Sequence, residues 1–146
     1  MSGFWGSFKS TLDAKGRINF PAKFRKNLVE EDADTVILIR GSEPWIGVYP
    51  LTSWNETVEE LKNKVGSKRE FAIVSRRLMF EASEQKVDKQ GRLNLTGNLI
   101  DYAQLSGEVL IVGYDHKMEI WDPERYQIFV ENTEHDFQNI ARDLDF

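Results

Sequence analysis

The chain contains itself twice, and few folds accommodate that. Leu12-Asp13-Ala14-Lys15-Gly16-Arg17-Ile18-Asn19-Phe20 is echoed by Val87-Asp88-Lys89-Gln90-Gly91-Arg92-Leu93-Asn94-Leu95 at a constant offset of 75 residues. The register extends outward to Trp5 on Phe80 and Phe24 on Leu99 and, after a small gap, to Val36-Ile37-Leu38-Ile39 on Val109-Leu110-Ile111-Val112. Farther on, Ile46, Val48, Tyr49 and Trp54 match Met118, Ile120, Trp121 and Tyr126. Such self-similarity marks a repeated supersecondary unit. Each unit is about fifty residues, a size at which burial alone is marginal, so the two units must share one core. An intertwined, pseudo-twofold arrangement would bring the two D-x-x-G-R segments close together.

Each unit predicts the same elements. A strand runs into the D-x-x-G-R turn, where Gly16 or Gly91 supplies the positive φ of a tight hairpin, and the alternation of Arg17-Ile18-Asn19-Phe20 or Arg92-Leu93-Asn94-Leu95 suits a returning strand. Pro21 opens a short helix through Leu28, and Thr96 is the corresponding N-cap. The apolar runs 36–39 and 109–112 predict strands buried on both faces, each returned by a turn into an alternating strand. Leu51, Trp54, Val58, Leu61 and Val65 mark a helix, and Ser67-x-x-Glu70 is a capping box that starts a bridging helix carrying Phe71, Val74 and Leu78. Asp122-Pro123 opens a final helix whose stripe, Tyr126, Val130, Thr133, Phe137, Ile140 and Leu144, is heptad-like. That stripe either packs on the sheet or serves a neighbouring subunit. The unit boundaries expected are 1–66, 67–79 for the bridge, and 80–146.

The chain of 146 residues has no cysteine, which removes disulfides, thiolate zinc sites and thiol nucleophiles together. Its apolar runs are far short of the roughly 20 residues of a membrane span and below the about 7 of a secretory h-region, so a soluble, cytoplasmic chain without an export signal is expected. The net charge of −5 argues against a nucleic-acid partner until it is resolved along the chain. Residues 1–28 hold Lys9, Lys15, Arg17, Lys23, Arg25 and Lys26 against Asp13 alone, a basic island of +5; residues 29–75 carry −4 and residues 76–146 carry −6.

The doubled LDAKGRINFPAKFR and VDKQGRLNLTGNL, each followed by a strand pair of VILIRG or VLIVGY type, with EIWDPERY near the end, resemble the MraZ family of bacterial transcriptional regulators over nearly the whole chain. What the resemblance implies is an α+β fold of two tandem pseudo-symmetric repeats, forming an AbrB-like swapped-hairpin β-barrel with flanking α-helices. It also implies ring-like homo-oligomers, association with the nucleoid, and binding of double-stranded DNA at promoter direct repeats governing cell-division and cell-wall genes. The usual proline is replaced by Thr96 in the second copy, and Lys23, Arg25 and Lys26 become Asn98, Ile100 and Asp101.

The chemistry of the motifs agrees with that reading. A hairpin fits a major groove as a two-stranded ribbon, and Arg17 and Arg92 could each donate two hydrogen bonds to guanine. Lys9, Lys15, Lys23, Arg25, Lys26 and Lys89 can neutralise phosphates. Asp13 and Asp88 are expected to structure the hairpins with Gly16 and Gly91, by accepting backbone N–H bonds or pairing with the arginines. For each arginine the competing role is a turn-stabilising ion pair with its own aspartate, and loss of flanking charge makes Arg92 the more structural of the two. An acid–base enzyme using Asp13 and Asp88 as a proton-sharing dyad is a weaker alternative, because an exposed hairpin desolvates poorly. A protein-binding module of the same fold, antitoxin-like or scaffolding, is another. His116 and His135 have no metal-ligand spacing, and no nucleotide-binding glycine motif occurs, so neither metal nor cofactor is expected.

Overall fold

A computed structural model describes residues 3–146. The first unit runs β1 (Ser7–Thr11), β2 (Arg17–Asn19), α1 (Ala22–Arg25), β3 (Thr35–Arg40), β4 (Ile46–Pro50) and α2 (Leu51–Lys64), and α3 (Lys68–Met79) bridges to the second. The same order then recurs as β5 (Ser83–Lys86), β6 (Arg92–Asn94), α4 (Gly97–Ala103), β7 (Glu108–Tyr114), β8 (Lys117–Trp121), α5 (Pro123–Asn132) and α6 (Glu134–Asp143).

The two units exchange strands. A six-stranded antiparallel sheet has the order β1-β7-β8-β4-β3-β5, so β1 of the first unit pairs with β7 of the second, and β5 of the second pairs with β3 of the first. The units join at the centre, where Ile46 faces Ile120 and Val48 faces Met118 across β4 and β8. The short strands β2 and β6 form a separate two-stranded sheet about Ile18 and Leu93. Both of those residues are buried, with Phe24, Leu99, Ile111 and Met118, in one core shared by the two units.

The expected closed barrel does not form. β1 and β5 remain the free edges of the larger sheet, and β2 and β6 bond to one another rather than closing it. The turn contributes one main-chain rung between β1 and β2, Asp13 N–H to Arg17 C=O at 2.9 Å, and the Asn19 N–H then donates to the Ser10 hydroxyl at 3.0 Å. A side chain thereby takes the donor that would continue a ladder from β2 to β1. The fold is α+β, with two sheets and flanking helices.

Local signals held at several helix starts. Ser67 accepts from Glu70 N–H, Thr96 from Leu99 N–H, and Asp122 from Arg125 N–H with Pro123 in the first turn. The final stripe is not one helix. Thr133 separates α5 from α6, and its hydroxyl donates back to the Phe129 carbonyl at 2.7 Å, a bond that bends helices. β3 is buried on both faces as expected, whereas β7 alternates. No helix of the described residues is long and apolar enough to cross a membrane.

Candidate nucleic-acid interface

Both turns are built from the same set of bonds. Asp13 Oδ1 accepts from the N–H groups of Lys15 and Arg17, each at 2.9 Å, while Oδ2 accepts from Arg17 Nε at 2.9 Å. Asp88 Oδ1 accepts from Gln90 N–H at 2.8 Å and Arg92 N–H at 2.9 Å, and Oδ2 from Arg92 Nε at 3.3 Å. Gly16 and Gly91 have φ of +78° and +79°, a conformation that disfavours any side chain, and their N–H groups return to the Asp13 and Asp88 carbonyls. The spacing D-x-x-G-R is therefore a complete local circuit in which the carboxylate organises the loop and holds the arginine stem.

These bonds also decide the protonation of the aspartates. The backbone N–H of Arg17 holds the Asp13 carboxyl below the usual carboxylate range, helped by the Arg17 side chain and Lys15 N–H, and Arg92 N–H does the same for Asp88. Both groups are ionised at neutral pH, so neither keeps the proton that an acid–base dyad would have to share. His116 lies exposed in the turn between β7 and β8, and His135 lies exposed on α6. Among the described residues no group of three or more His, Cys, Asp or Glu side chains could hold a metal ion.

The two turns meet through the ribbon. In register, Arg17 faces Asn94, Ile18 faces Leu93 and Asn19 faces Arg92. The ribbon is lengthened by Phe20 N–H donating to Gly91 C=O at 2.7 Å and Leu95 N–H donating to Gly16 C=O at 2.8 Å. Because Ile18 and Leu93 point into the core, Arg17, Asn19, Arg92 and Asn94 share the opposite face. The hairpin of one unit is thus not the ribbon; the ribbon takes one strand from each. Asn19 and Asn94 join the expected arginines on this face, and the sequence signal for them is their identical position in both repeats together with the strand alternation.

The expected phosphate-binding cations divide into several settings. Lys9, on β1, is exposed and its Nζ lies 3.9 Å from Glu108. Lys15 and Lys89 are at the exposed turns, and Lys23 and Lys26 lie at α1, both exposed. Arg25 pairs with Asp34 at 3.2 Å. Its terminal nitrogen also lies 4.0 Å from where a Cβ on Gly91 would sit, whereas a Cβ on Gly16 would meet Ile100 Cδ1 at 3.3 Å. Arg25 and Ile100 are equivalent positions, so the exchange sets a cation of the first unit beside the turn of the second. Burial does not separate the ribbon arginines: their side chains are 24% exposed at Arg17 and 32% at Arg92. What differs is that Arg92 also donates to the Gln90 side chain.

The comparisons with known proteins bear on the same features. The family model described as "MraZ protein, putative antitoxin-like" matches the chain twice, over residues 4–74 and 78–146, so each repeat is recognised separately. The chain is also similar to the "Transcriptional regulator MraZ" of Natranaerobius thermophilus, with 38% identity over 141 residues, covering 97% of this chain and 96% of that protein.

Proposed function

The chain belongs to the MraZ family, and from that premise we propose that it is a non-catalytic transcriptional regulator that binds double-stranded DNA through the outer face of the β2–β6 ribbon. The observation that carries the reading is the row of Arg17, Asn19, Arg92 and Asn94 on one face of a two-stranded ribbon whose other face is core. A major groove about 12 Å wide admits such a ribbon, arginine reads guanine O6 and N7, and asparagine reads adenine N6 and N7. The aspartate bonds use the Nε of each arginine, which leaves both terminal nitrogens of Arg17 for a base. Lys9, Lys15, Lys23, Lys26 and Lys89 supply charge to the phosphates, with Arg25 beside the second turn.

The acidic remainder of the chain repels a duplex, so one copy should hold DNA weakly at physiological salt. In a ring-like homo-oligomer, several ribbons would engage direct repeats of a short box, and each later contact becomes intramolecular, gaining roughly 10²–10⁴ in avidity. Nucleoid association at promoter repeats follows from that reading.

Titration of Arg17→Ala and Arg92→Ala against a duplex carrying boxes selected from a random pool tests it. Each substitution should cost about 1–3 kcal/mol in specific binding, with Arg17→Ala the larger, and thermal melting should show both folded. Shifting one box by half a helical turn, about 5 base pairs, should lower affinity towards the single-box value, and a full turn should restore it. Normal binding by Arg17→Ala overturns the ribbon reading. A duplex affinity that is absent at every salt concentration favours a protein-binding module instead.

A further inference from the structure

The pseudo-twofold relation also sets a filled site against an open one. At the far end of β7 the chain's own beginning closes the edge. Phe4 N–H donates to Asp115 C=O at 2.6 Å, Asp115 N–H to Phe4 C=O at 2.8 Å, and Gly113 N–H to Gly6 C=O at 2.8 Å. Phe4 is 4% exposed and sits edge-on to Phe24, with ring centroids 5.6 Å apart. At the equivalent end of β3 no segment of the described residues does this. The residues 75 positions later, Met79 and Phe80, finish a helix instead of extending a strand, and the β3–β5 ladder stops at Leu38 and Ser83.

A cavity of about 460 Å³ is left there, lined by Arg40, Ser42, Arg76, Arg77, Phe80 and Tyr102 among others. Arg40 stacks over the Tyr102 ring at 4.5 Å and pairs with Glu81, while Arg76 and Arg77 have no ion-pair partner among the described residues. Phe80 is 86% exposed. β5 runs away from this cavity to the Asp88 turn, which puts the cavity roughly 20 Å along the strand direction from the ribbon. A cationic, aromatic cavity at that distance is not needed to read a base.

The same chain carries a segment of matching chemistry. Residues 131–146 hold Glu131, Glu134, Asp136, Asp143 and Asp145 against one arginine, Arg142, no lysine and one histidine, His135. No residue of α6 is buried, and Phe137, Ile140, Leu144 and Phe146 are 63%, 59%, 64% and 97% exposed. We propose that the acidic, aromatic segment 134–146 of one copy docks into the arginine-lined cavity between α3 and the end of β3 on a second copy. Arg76 and Arg77 take the carboxylates of Asp143 and Asp145, and Phe80 takes an apolar side chain, as Phe4 is taken by Phe24 on the other side. Donor and acceptor surfaces are different patches, so the contact is heterologous and propagates into a ring or a filament.

The contact goes beyond the ribbon and does not rest on it, and a single-box duplex keeps the two tests apart. Light scattering over a concentration series is run on the full chain, on Arg76→Glu/Arg77→Glu, on Asp143→Arg/Asp145→Arg, and on the four substitutions combined. Each reversed pair should raise the concentration at which assemblies dissociate by about tenfold or more, and the combination should restore it. Phe146→Ala, which removes a ring outside the core, should weaken assembly without touching the fold. Affinity for the single-box duplex should stay within about twofold throughout. An unchanged mass in either reversed pair, failure of the combination to recover, or a wild-type chain that is monomeric overturns the docking. Loss of single-box binding on reversing Arg76 and Arg77 assigns those arginines to DNA and overturns it equally.

Discussion

The two D-x-x-G-R turns have nearly superimposable bonding and unlike surroundings. Around Asp13 and Asp88 the same carboxylate oxygens accept from the same backbone positions, and Gly16 and Gly91 differ by one degree in φ. Behind them, a Cβ placed on Gly16 would meet the Leu95 carbonyl oxygen at 3.1 Å and Ile100 Cδ1 at 3.3 Å, whereas one placed on Gly91 would meet nothing nearer than the Arg25 guanidinium at 4.0 Å. Duplication has kept what a turn needs locally and released what packs against it. The same holds at the ends of β7 and β3, one closed by Phe4 and the other left open.

The largest expected contrast lies in the core. Phe24 and Leu99 are equivalent and fully buried, but Phe24 also meets Phe8 edge-on at 4.8 Å between centroids. Phe24→Ala should cost about 3–5 kcal/mol and Leu99→Ala about 2–5, with Phe24→Ala the worse, read as denaturant midpoints at constant m. Equal or reversed costs would mean that the first unit is no more heavily packed than the second.

Next come the turn glycines. An alanine at either position meets the left-handed penalty of about 1–2 kcal/mol. At Gly16 its Cβ also falls 3.1 Å from the Leu95 carbonyl oxygen, a main-chain atom that cannot swing away. Gly16→Ala should therefore destabilise more than Gly91→Ala, by about 1 kcal/mol or more in thermal unfolding. A Gly91→Ala protein that is the less stable would break the contrast.

A smaller effect sharpens the electrostatic side. Arg25→Ala should change stability by no more than about 1 kcal/mol, since its pair with Asp34 is partly exposed, but should lower the salt slope of DNA binding by about one unit. Because Arg25 lies by the second turn, its loss should couple to Lys89→Ala and be additive with Lys15→Ala in titrations of the double variants.

The smallest effect is in pH, because both aspartates lie at the surface. Their carboxyls are held below the usual range in the folded chain, so each stabilises above its ordinary pKa of about 3.8 and loses that contribution as pH falls through the lower, folded value. Asp13→Asn and Asp88→Asn should each lower the melting temperature at pH 7. The difference from the unsubstituted chain should shrink on acidification below about pH 4. A difference that grows with acid would contradict the bonding described for both turns.

Much of this was legible because it is local. The turn geometry, the caps Ser67, Thr96 and Asp122, and the inward Ile18 and Leu93 all follow from spacing within a few residues, and the repeat shows the turn and the inward position twice. Other features depend on residues far apart. Asp32 is buried and caps the start of α2 by accepting from Thr52 N–H at 2.8 Å and from its hydroxyl at 2.7 Å. Lys117, also buried, pairs with Glu119 of its own strand at 3.3 Å, but the rings that enclose it include Trp45 and Tyr49 of the first unit as well as Tyr114. Neither arrangement has a sequence signature, since Thr52 reaches Asp32 from 20 residues away and Trp45 and Tyr49 reach Lys117 from the other unit. The placement of the basic island is another case: counted along the chain it belongs to the first unit, yet the Arg25 guanidinium lies beside Gly91 in the turn of the second.

From the sequence alone came the doubling, and with it two like units that share a core, each with a carboxylate-organised turn and a known inward face. Hydrogen bonds within five residues and the two-residue period of a strand are set by neighbours in the chain. Tertiary structure decided which strands lie side by side: the exchange of β1 and β5, the pairing of β2 with β6 into a ribbon, and sheets that stay open instead of closing. A strand's alternation states which residues face inward but carries no label for its partner, and that choice is made only when the whole core closes over both units.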